Sequence, residues 1–480
     1  MKTATATSAW LLDEGNRLDA SFHLSDGRMA KALFKKSPCP VEPLSKLTTD
    51  IFSGPRFRRH YVSSPETGIP FLSGSDIVKA DFNTTKLISK KMTNSLEALK
   101  VEKGWTLVTR SGTIGLTAFT NDDFLGKALT EDVIRIVPNE EMIESGYLYT
   151  FLASKFGYAL LTQFNYGGVI KHIEPHHITD LPIPLLPERQ RQEIHALIEE
   201  AARLRVEGNG LLQEAEDMLI QTLDIESELL KQLTSAFEKD TKMSFVVSAS
   251  KVTALTLRAR NYSPRLHKVI EVLSKWNSDN LIDVLAAEPF YTGRFKRIPS
   301  SSKNAIELLS QGAIFEMKPT GNLISKRAIP NLSNEIVKKG TILVPGQGSL
   351  GENEIFGRAK FVWGYLENSL VAGHAMRFIP NNEVIDEGYL YAVISSKLWF
   401  RIFRSVVYGT NLLGFIVPML NEMPVPRLGD KLEKEIGQKV KTAYEKLTQA
   451  NEKENKAISI LENEISSWQP SKQPYTATLR

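Results

Sequence analysis

Three groups of residues in this chain could do chemistry. Gly346-Gln347-Gly348-Ser349-Leu350-Gly351 has the GxGxxG spacing of a dinucleotide-binding loop. Such a loop needs a helix to begin at once, so that its N-terminal amides meet a pyrophosphate. The stretch from Gly351 to Tyr365 reads instead as turn and strand. The related stretch Arg110-Ser111-Gly112-Thr113-Ile114-Gly115 keeps only two of the glycines. Both read as tight strand–turn–strand connections, where glycine supplies positive φ and lets backbone lie close to a neighbour. His172, His176 and His177 have the look of a metal set. The matching Phe415-Ile416-Val417-Pro418-Met419 has no histidine, so they read as surface or DNA-facing side chains. In the third group, Arg56, Arg58 and Arg59 surround Phe57, and Arg294, Lys296 and Arg297 surround Phe295. Basic residues interleaved with aromatics suit phosphate contact with apolar support; the alternative is a solvated charged loop. No Walker A lysine, HExxH, Gly-x-Ser-x-Gly elbow or Asn/Asp-Pro-Pro-aromatic tetrad appears, so the chain reads as a binding scaffold.

The elements that must position these residues are written twice. Residues 104–115 match 340–351 at an offset of 236 (340 − 104). Gly146-Tyr147-Leu148-Tyr149 matches Gly388-Tyr389-Leu390-Tyr391 at 242 (388 − 146), and Tyr166-Gly167 matches Tyr408-Gly409 at the same spacing. Pro182-x-Pro184 answers Pro424-x-Pro426. Within each half, Thr106–Thr109, Val133–Val137, Thr341–Val344 and Ala375–Ile379 read as strands. Residues 146–164 and 388–406 each read as one partly buried helix. The prolines form an extended strap that ends each globule and starts a long helix.

Those helices carry heptad seams. From Pro187 to Leu223, Ile194, Ala201, Gly208 and Ala215 form one row, and Leu197, Leu204, Leu211 and Met218 the other. Near the C-terminus, Ile436, Ala443, Ala450 and Ala457 form a row beside Val440, Leu447, Glu454 and Leu461. Both stripes are too narrow for a core helix, so the two helices are expected to pair with each other. Independent dimerisation helices are the alternative. Glu454 is the one polar intruder, of the kind that fixes register at a cost in stability.

The 480 residues, 42% hydrophobic and 24% charged, allow two or three domains of ordinary globular composition. A net charge of +4 leans mildly toward polyanionic partners. A single cysteine, Cys39, rules out an internal disulfide framework and a cysteine-based zinc site and fits a reducing cytoplasm. No run approaches the length of a membrane span.

Two globules, each followed by a long helix behind a Pro-x-Pro strap, resemble the specificity subunit of type I restriction–modification systems. The resemblance is carried by Arg17-Leu18-Asp19-Ala20, the two Gly-rich turns, Leu181-Pro182-Ile183-Pro184-Leu185-Leu186-Pro187-Glu188-Arg189-Gln190 and Met423-Pro424-Val425-Pro426. The second strap departs from it, with Arg427-Leu428-Gly429-Asp430 in place of Arg-Gln. The resemblance implies a mixed α/β fold: two similar target recognition domains separated by two long helices in an intramolecular antiparallel coiled coil. The expected divisions are 1–186 and 241–426 for the recognition domains, 187–240 and 427–468 for the helices, and 469–480 for a flexible tail. Each domain would read one part of a split, asymmetric site in double-stranded DNA, and the helices would set the spacing.

The expected partners are two adenine methyltransferase subunits and the restriction and translocase subunits. S-adenosylmethionine and ATP with magnesium would belong to those partners, leaving this chain non-catalytic, cofactor-free, cytoplasmic and away from membranes. Arg110, Ser111 and Gln347 are expected at base edges, and Ser349, Tyr166, Lys171, His172, Tyr408 and Asn411 are also expected to bind DNA. The clusters at 56–59 and 294–297 would hold phosphates. The rival reading is a non-catalytic scaffold or DNA mimic in phage defence, which the slight positive charge disfavours.

Overall fold

The computed structural model describes residues 25–83, 85–163, 172–235 and 244–468. Two compact units emerge, Met1–Val206 with Gln449–Arg480 and Glu207–Thr448. Their boundary cuts each long helix within its length, so neither helix is a separate body.

The first unit begins with helix α1 (Asp26–Phe34) and strands β1 (Val41–Pro43), β2 (Thr48–Ser53), β3 (Tyr61–Val62), β4 (Gly68–Leu72) and β5 (Lys86–Ser89). Strands β6 (Thr106–Thr109), β7 (Thr117–Phe119), β8 (Ala128–Leu129) and β9 (Val133–Pro138) follow. One sheet runs β2-β9-β6-β7 and another β3-β5-β4-β8, in which β4 and β8 are parallel. Helices α2 (Ser145–Ala153), α3 (Lys155–Thr162) and α4 (Pro175–Ile178) lead to strand β10 (Pro182–Pro184), which pairs antiparallel with β1. The segment 146–164, expected as one helix, is therefore two. Ser154 breaks it: its backbone is extended, and its hydroxyl accepts from the amide of Gly157 to start the next helix.

The long helix α5 (Glu188–Thr222) is followed by α6 (Ser227–Thr234), α7 (Pro264–Leu273) and strands β11 (Ser278–Asn280), β12 (Ala305–Leu309) and β13 (Asn322–Ser325). Then come α8 (Leu332–Glu335), β14 (Ile342–Pro345), β15 (Lys360–Phe361), β16 (Leu370–Val371) and β17 (Ala375–Phe378). Helices α9 (Glu387–Ser395) and α10 (Lys397–Ser405) split at Ser396, which caps α10 as Ser154 caps α3. Strands β18 (Val407–Tyr408) and β19 (Gly414–Phe415), helix α11 (Val417–Asn421), strand β20 (Pro424–Pro426) and the long helix α12 (Asp430–Ser467) complete the chain.

The second unit repeats the plan of the first. Its sheets run β15-β14-β17 and β13-β12-β16, with β12 and β16 parallel, and β11 pairs with β20. The Pro-x-Pro straps are held alike: the hydroxyl of Tyr147 donates to Pro184 O, and that of Tyr389 donates to Pro426 O at 2.6 Å. One difference has a local cause. The counterpart of β2 forms isolated bridges rather than a strand, Leu285 with Pro380 just past β17 and Phe290 with Arg377 on it, and Pro289 between them has no amide to donate. A second shared device is a charge inside each sheet. Arg135 on β9 is fully buried and donates to the carbonyls of Leu99, Leu129, Thr130 and Val133; its counterpart Arg377 on β17 donates to Asn334 and Glu335. Burial lowers both guanidinium pKa values, that of Arg135 to about 10, so the surrounding carbonyls are what make the buried charge tolerable.

The helices α5 and α12 run antiparallel within each unit. In the second, Glu207 pairs with Lys446 and Glu214 with Lys439, each at 2.7 Å. Gly208 lets the backbones close in, since a Cβ there would sit 3.0 Å from Ala443 O. The expectation that their stripes are too narrow for core work is corrected. Ile194, Ile198 and Ala202 join Ala457, Leu461 and Ile465 in the core of the first unit, and Ala215, Leu219, Ile436, Val440 and Tyr444 lie in the core of the second. Ala201, Leu204 and Ala450 form a small cluster of their own. Leu197, Leu211 and Met218 are only half-buried, while Ile198 and Leu219, one position on, are buried. A helix that packs on a globule as well as a partner helix buries a stripe broader than a two-row seam. Ala443 and Leu447 are buried as the heptad reading requires. Among the described residues, no helix is long and apolar enough to cross a membrane.

Candidate nucleic-acid interface

In each unit the Gly-rich turn leaves the central strand and is stitched to the loop that follows the helix pair. In the first, Arg110 N–H donates to Asp132 O at 3.0 Å, Ser111 forms a bridge with His172, and Ile173 N–H donates to Arg110 O at 3.1 Å. In the second, Gly346 N–H donates to His374 O at 3.0 Å, Gly348 forms a bridge with Leu413, and Leu413 N–H donates to Gly348 O at 3.1 Å. The same two segments are thus brought side by side twice. The glycines serve different ends. Gly112 and Gly115 have φ of +71° and +84°, whereas a Cβ on Gly346 would lie 2.0 Å from the hydroxyl of Tyr291. That hydroxyl donates to Gly346 O at 3.0 Å, and so ties the turn to the segment leading into Arg294.

The second unit gathers most of its expected contact residues. Gln347 is half-buried, with its carbonyl accepting from the Gln311 amide at 3.0 Å, and Ser349 is exposed. Tyr408 and Asn411 are exposed on the β18–β19 hairpin, where Gly409 turns the chain at φ +90°. Leu412 is exposed on the same tip.

In the first unit, Arg110 departs from expectation. It is buried, and its Nη2 lies 2.7 Å from Glu174 Oε1 rather than projecting from the turn. The carboxylate supplies the charge partner that a buried guanidinium requires. Ser111 is half-buried and His172 exposed, while Tyr166 and Lys171 lie outside the described residues. His177 accepts from Glu174 N–H at 3.0 Å in a capping box, so that ring caps the start of a helix. Burial and neighbouring His176 lower its pKa, against the pull of Glu174. Cys39 is a half-buried free thiol whose pKa is raised by burial and by Glu464, consistent with an inert role.

The basic clusters are built alike. Phe57 packs on Ile69, Phe71, Ile88, Leu99 and Ala128; Phe295 packs on Leu308, Ile324, Ile329, Leu370 and Ala372. Each aromatic roots its loop on the sheet that contains the parallel strand pair. Arg56 and Arg58 stand exposed, as do Arg294, Lys296 and Arg297. Arg59 is engaged otherwise: it meets Glu131 at 2.9 Å, donates to Thr130 Oγ1 at 3.2 Å, and lies over the Phe71 ring. Burial opposes ionisation of Glu131, but the hydrogen bond and charge of Arg59 outweigh it and bring the carboxyl below its ordinary pKa.

The sequence reading missed a clamp behind the second turn. Arg401 on α10 holds Glu352 through two bonds of 2.8 and 2.6 Å and also donates to Thr234 O. Arg404 donates to Leu350 O and Phe356 O. Burial, with Arg401, Arg358 and Arg260 nearby, lowers the Arg404 pKa to about 10 against the pull of Glu352. The available signal was two arginines three apart on a helix otherwise read as buried, which must find acceptors inside.

The comparisons with known proteins bear on this arrangement. Residues 49–202 match the family described as type I restriction modification DNA specificity domain. Residues 49–202 are a type I restriction–modification DNA specificity domain. DNA sequence recognition in such a system is therefore the activity this chain carries, and DNA and the restriction–modification complex are its partners. The match lies within the first unit and spans its Gly-rich turn, its basic cluster and the start of α5. Among solved structures, the S subunit of a type I restriction-modification system from M. genitalium is similar at 14% identity and TM-score 0.33, over 90% of this chain and 96% of that one. The HsdS subunit from Thermoanaerobacter tengcongensis is similar at 12% identity and TM-score 0.28, over 90% and 97%. No curated protein matches the sequence.

Proposed function

We propose that the two units read the two parts of a split, asymmetric DNA site, and that α5 and α12 set the spacing between those parts. The observation that carries this is the repeated pairing of a Gly-rich turn with a post-helix loop, beside an aromatic-rooted basic loop, once in each unit. The turn residues left to face DNA differ between units, Ser111 against Gln347, so the two half-sites would differ and the whole site would not be palindromic. Gln347 can bond adenine N6 and N7, while Arg56, Arg58, Arg294, Lys296 and Arg297 hold phosphates and set affinity and salt slope. Two adenine methyltransferase subunits would dock on this chain, with restriction and translocase subunits joining them. S-adenosylmethionine and ATP with magnesium would be bound by those partners, and this chain would be non-catalytic and cytoplasmic.

A helix of 35 residues is about 50 Å long, more than one DNA turn of about 34–36 Å. Inserting one heptad into both α5 and α12 at the same level lengthens the rod by about 10 Å, or about three base pairs. Mapping methylated adenine in cells that carry the altered chain with its partners should show the same two half-sites farther apart. An unchanged spacer would overturn the ruler.

A further inference from the structure

Because the two units are copies, α5 and α12 are copies as well. Their small-residue rows, Ile194/Ala201/Gly208/Ala215 and Ile436/Ala443/Ala450/Ala457, are nearly interchangeable. Nothing in those rows distinguishes α5 pairing with α12 from α5 pairing with α5 of a second molecule. One layer does. In the first unit Arg205 Nη2 lies 2.5 Å from Glu454 Oε2 and 3.0 Å from Asn451 Oδ1, and Tyr149 donates to Glu454 Oε1 at 2.8 Å. All four residues are buried.

We infer that this layer selects the partner helix: it accepts α12 against α5 and rejects the like pairings, α5 with α5 or α12 with α12 of a second molecule. The repeat offset of 242 (436 − 194) places Leu447 in the second unit where Arg205 stands in the first, and Leu212 where Glu454 stands. Both are apolar and packed there, Leu447 buried and Leu212 half-buried. The layer is therefore charged once and apolar once. If α5 paired with α5 of a second molecule, Arg205 would face Leu212 of that molecule in place of a carboxylate. If α12 paired with α12, Glu454 would face Leu447. Either arrangement buries a charge against hydrocarbon, which costs several-fold more than a mismatched methyl group. Only a pairing of α5 with α12 satisfies both charges. Tyr149 adds to the discrimination, since its hydroxyl comes from the globule and requires the acceptor on α12. Burial and the neighbouring carboxylate raise its pKa well above the usual phenol range, so it remains a donor. A single polar layer is enough to fix pairing in helical rods because its misplacement is penalised at every wrong register.

The test uses the full-length chain in three forms: R205E, E454R and the double variant R205E/E454R. Each single substitution places like charges in the layer, and its melting temperature should fall by about 5 °C or more. The double variant should recover at least half of that loss. R205E and E454R, differently tagged and co-produced, should assemble as a 1:1 heterodimer by native mass spectrometry, because each α5 then meets a complementary α12 only in trans. If the single variants fail to fold alone, co-production should still rescue both as that heterodimer. Single variants as stable as the parent would overturn the inference. So would a double variant with no recovery, or co-production that yields no mixed species.

Discussion

Arg110 Nη2 lies 2.7 Å from Glu174 Oε1 at the point where the first Gly-rich turn meets the post-helix loop. The guanidinium is nine-tenths covered, so the pair holds two loop segments together instead of leaving Arg110 to meet a base. R110A and E174A should each destabilise the protein, and the double variant should cost less than their sum, by about 1 kcal/mol of coupling. Urea unfolding of the four proteins measures it. Binding selections on R110A should show weakened affinity for all sequences, with no single base position relaxed.

Arg58 and Arg59 are neighbours with different employment. R58A should reduce the salt slope of DNA binding by about one ion, with little effect on stability. E131Q should instead act through the fold. The folded pKa of Glu131 is depressed below the ordinary 4.5, so its contribution is fully present above that value and is lost as pH falls through the lower folded value. The stability difference between parent and E131Q should therefore shrink on acidification below about 4.5, as thermal melts across that range would show.

Gln347 and Tyr408 stand on the two stitched segments of the second unit. Q347A should relax preference at a position in one half-site only, by about 1–3 kcal/mol, or about five- to 150-fold. Y408A should weaken binding to that half-site without broadening it. Genomic maps of methylated adenine, compared with binding selections, separate the two. A methylated sequence unchanged by Q347A would remove the Gly-turn assignment.

Tyr147 and Tyr389 hold equivalent straps. Y389F should cost about 1 kcal/mol, the worth of a typical buried hydrogen bond. Y147F should cost more, because the Tyr147 hydroxyl also accepts from Leu186 N–H, whereas the amide of Leu428 in the matching place donates to Glu433. Calorimetry of the two variants gives the comparison.

Glu352 bridges the second turn to α10. E352Q should loosen that turn and lower sequence preference in the second half-site, while leaving the first half-site untouched. A half-site selection on the same variant reads both effects at once.

The duplication was legible in the sequence because it lies in residue identity: Gly146-Tyr147-Leu148-Tyr149 and Gly388-Tyr389-Leu390-Tyr391 are the same letters in the same order. The long helices were legible because heptad spacing is a property of the chain alone. So was the odd status of Glu454, a charge in an apolar row. What the sequence could not give was who meets whom. Arg205 and Arg110 look like any surface arginine until the fold buries them, and even Arg401, on a helix read as buried, does not reveal its acceptor, because a charge becomes a structural element only when water is removed and a carboxylate or carbonyl is brought to it. The partners Glu454, Glu174 and Glu352 lie 249, 64 and 49 residues away in the chain. No local pattern encodes pairings at that separation; packing of the sheets and helices brings them together.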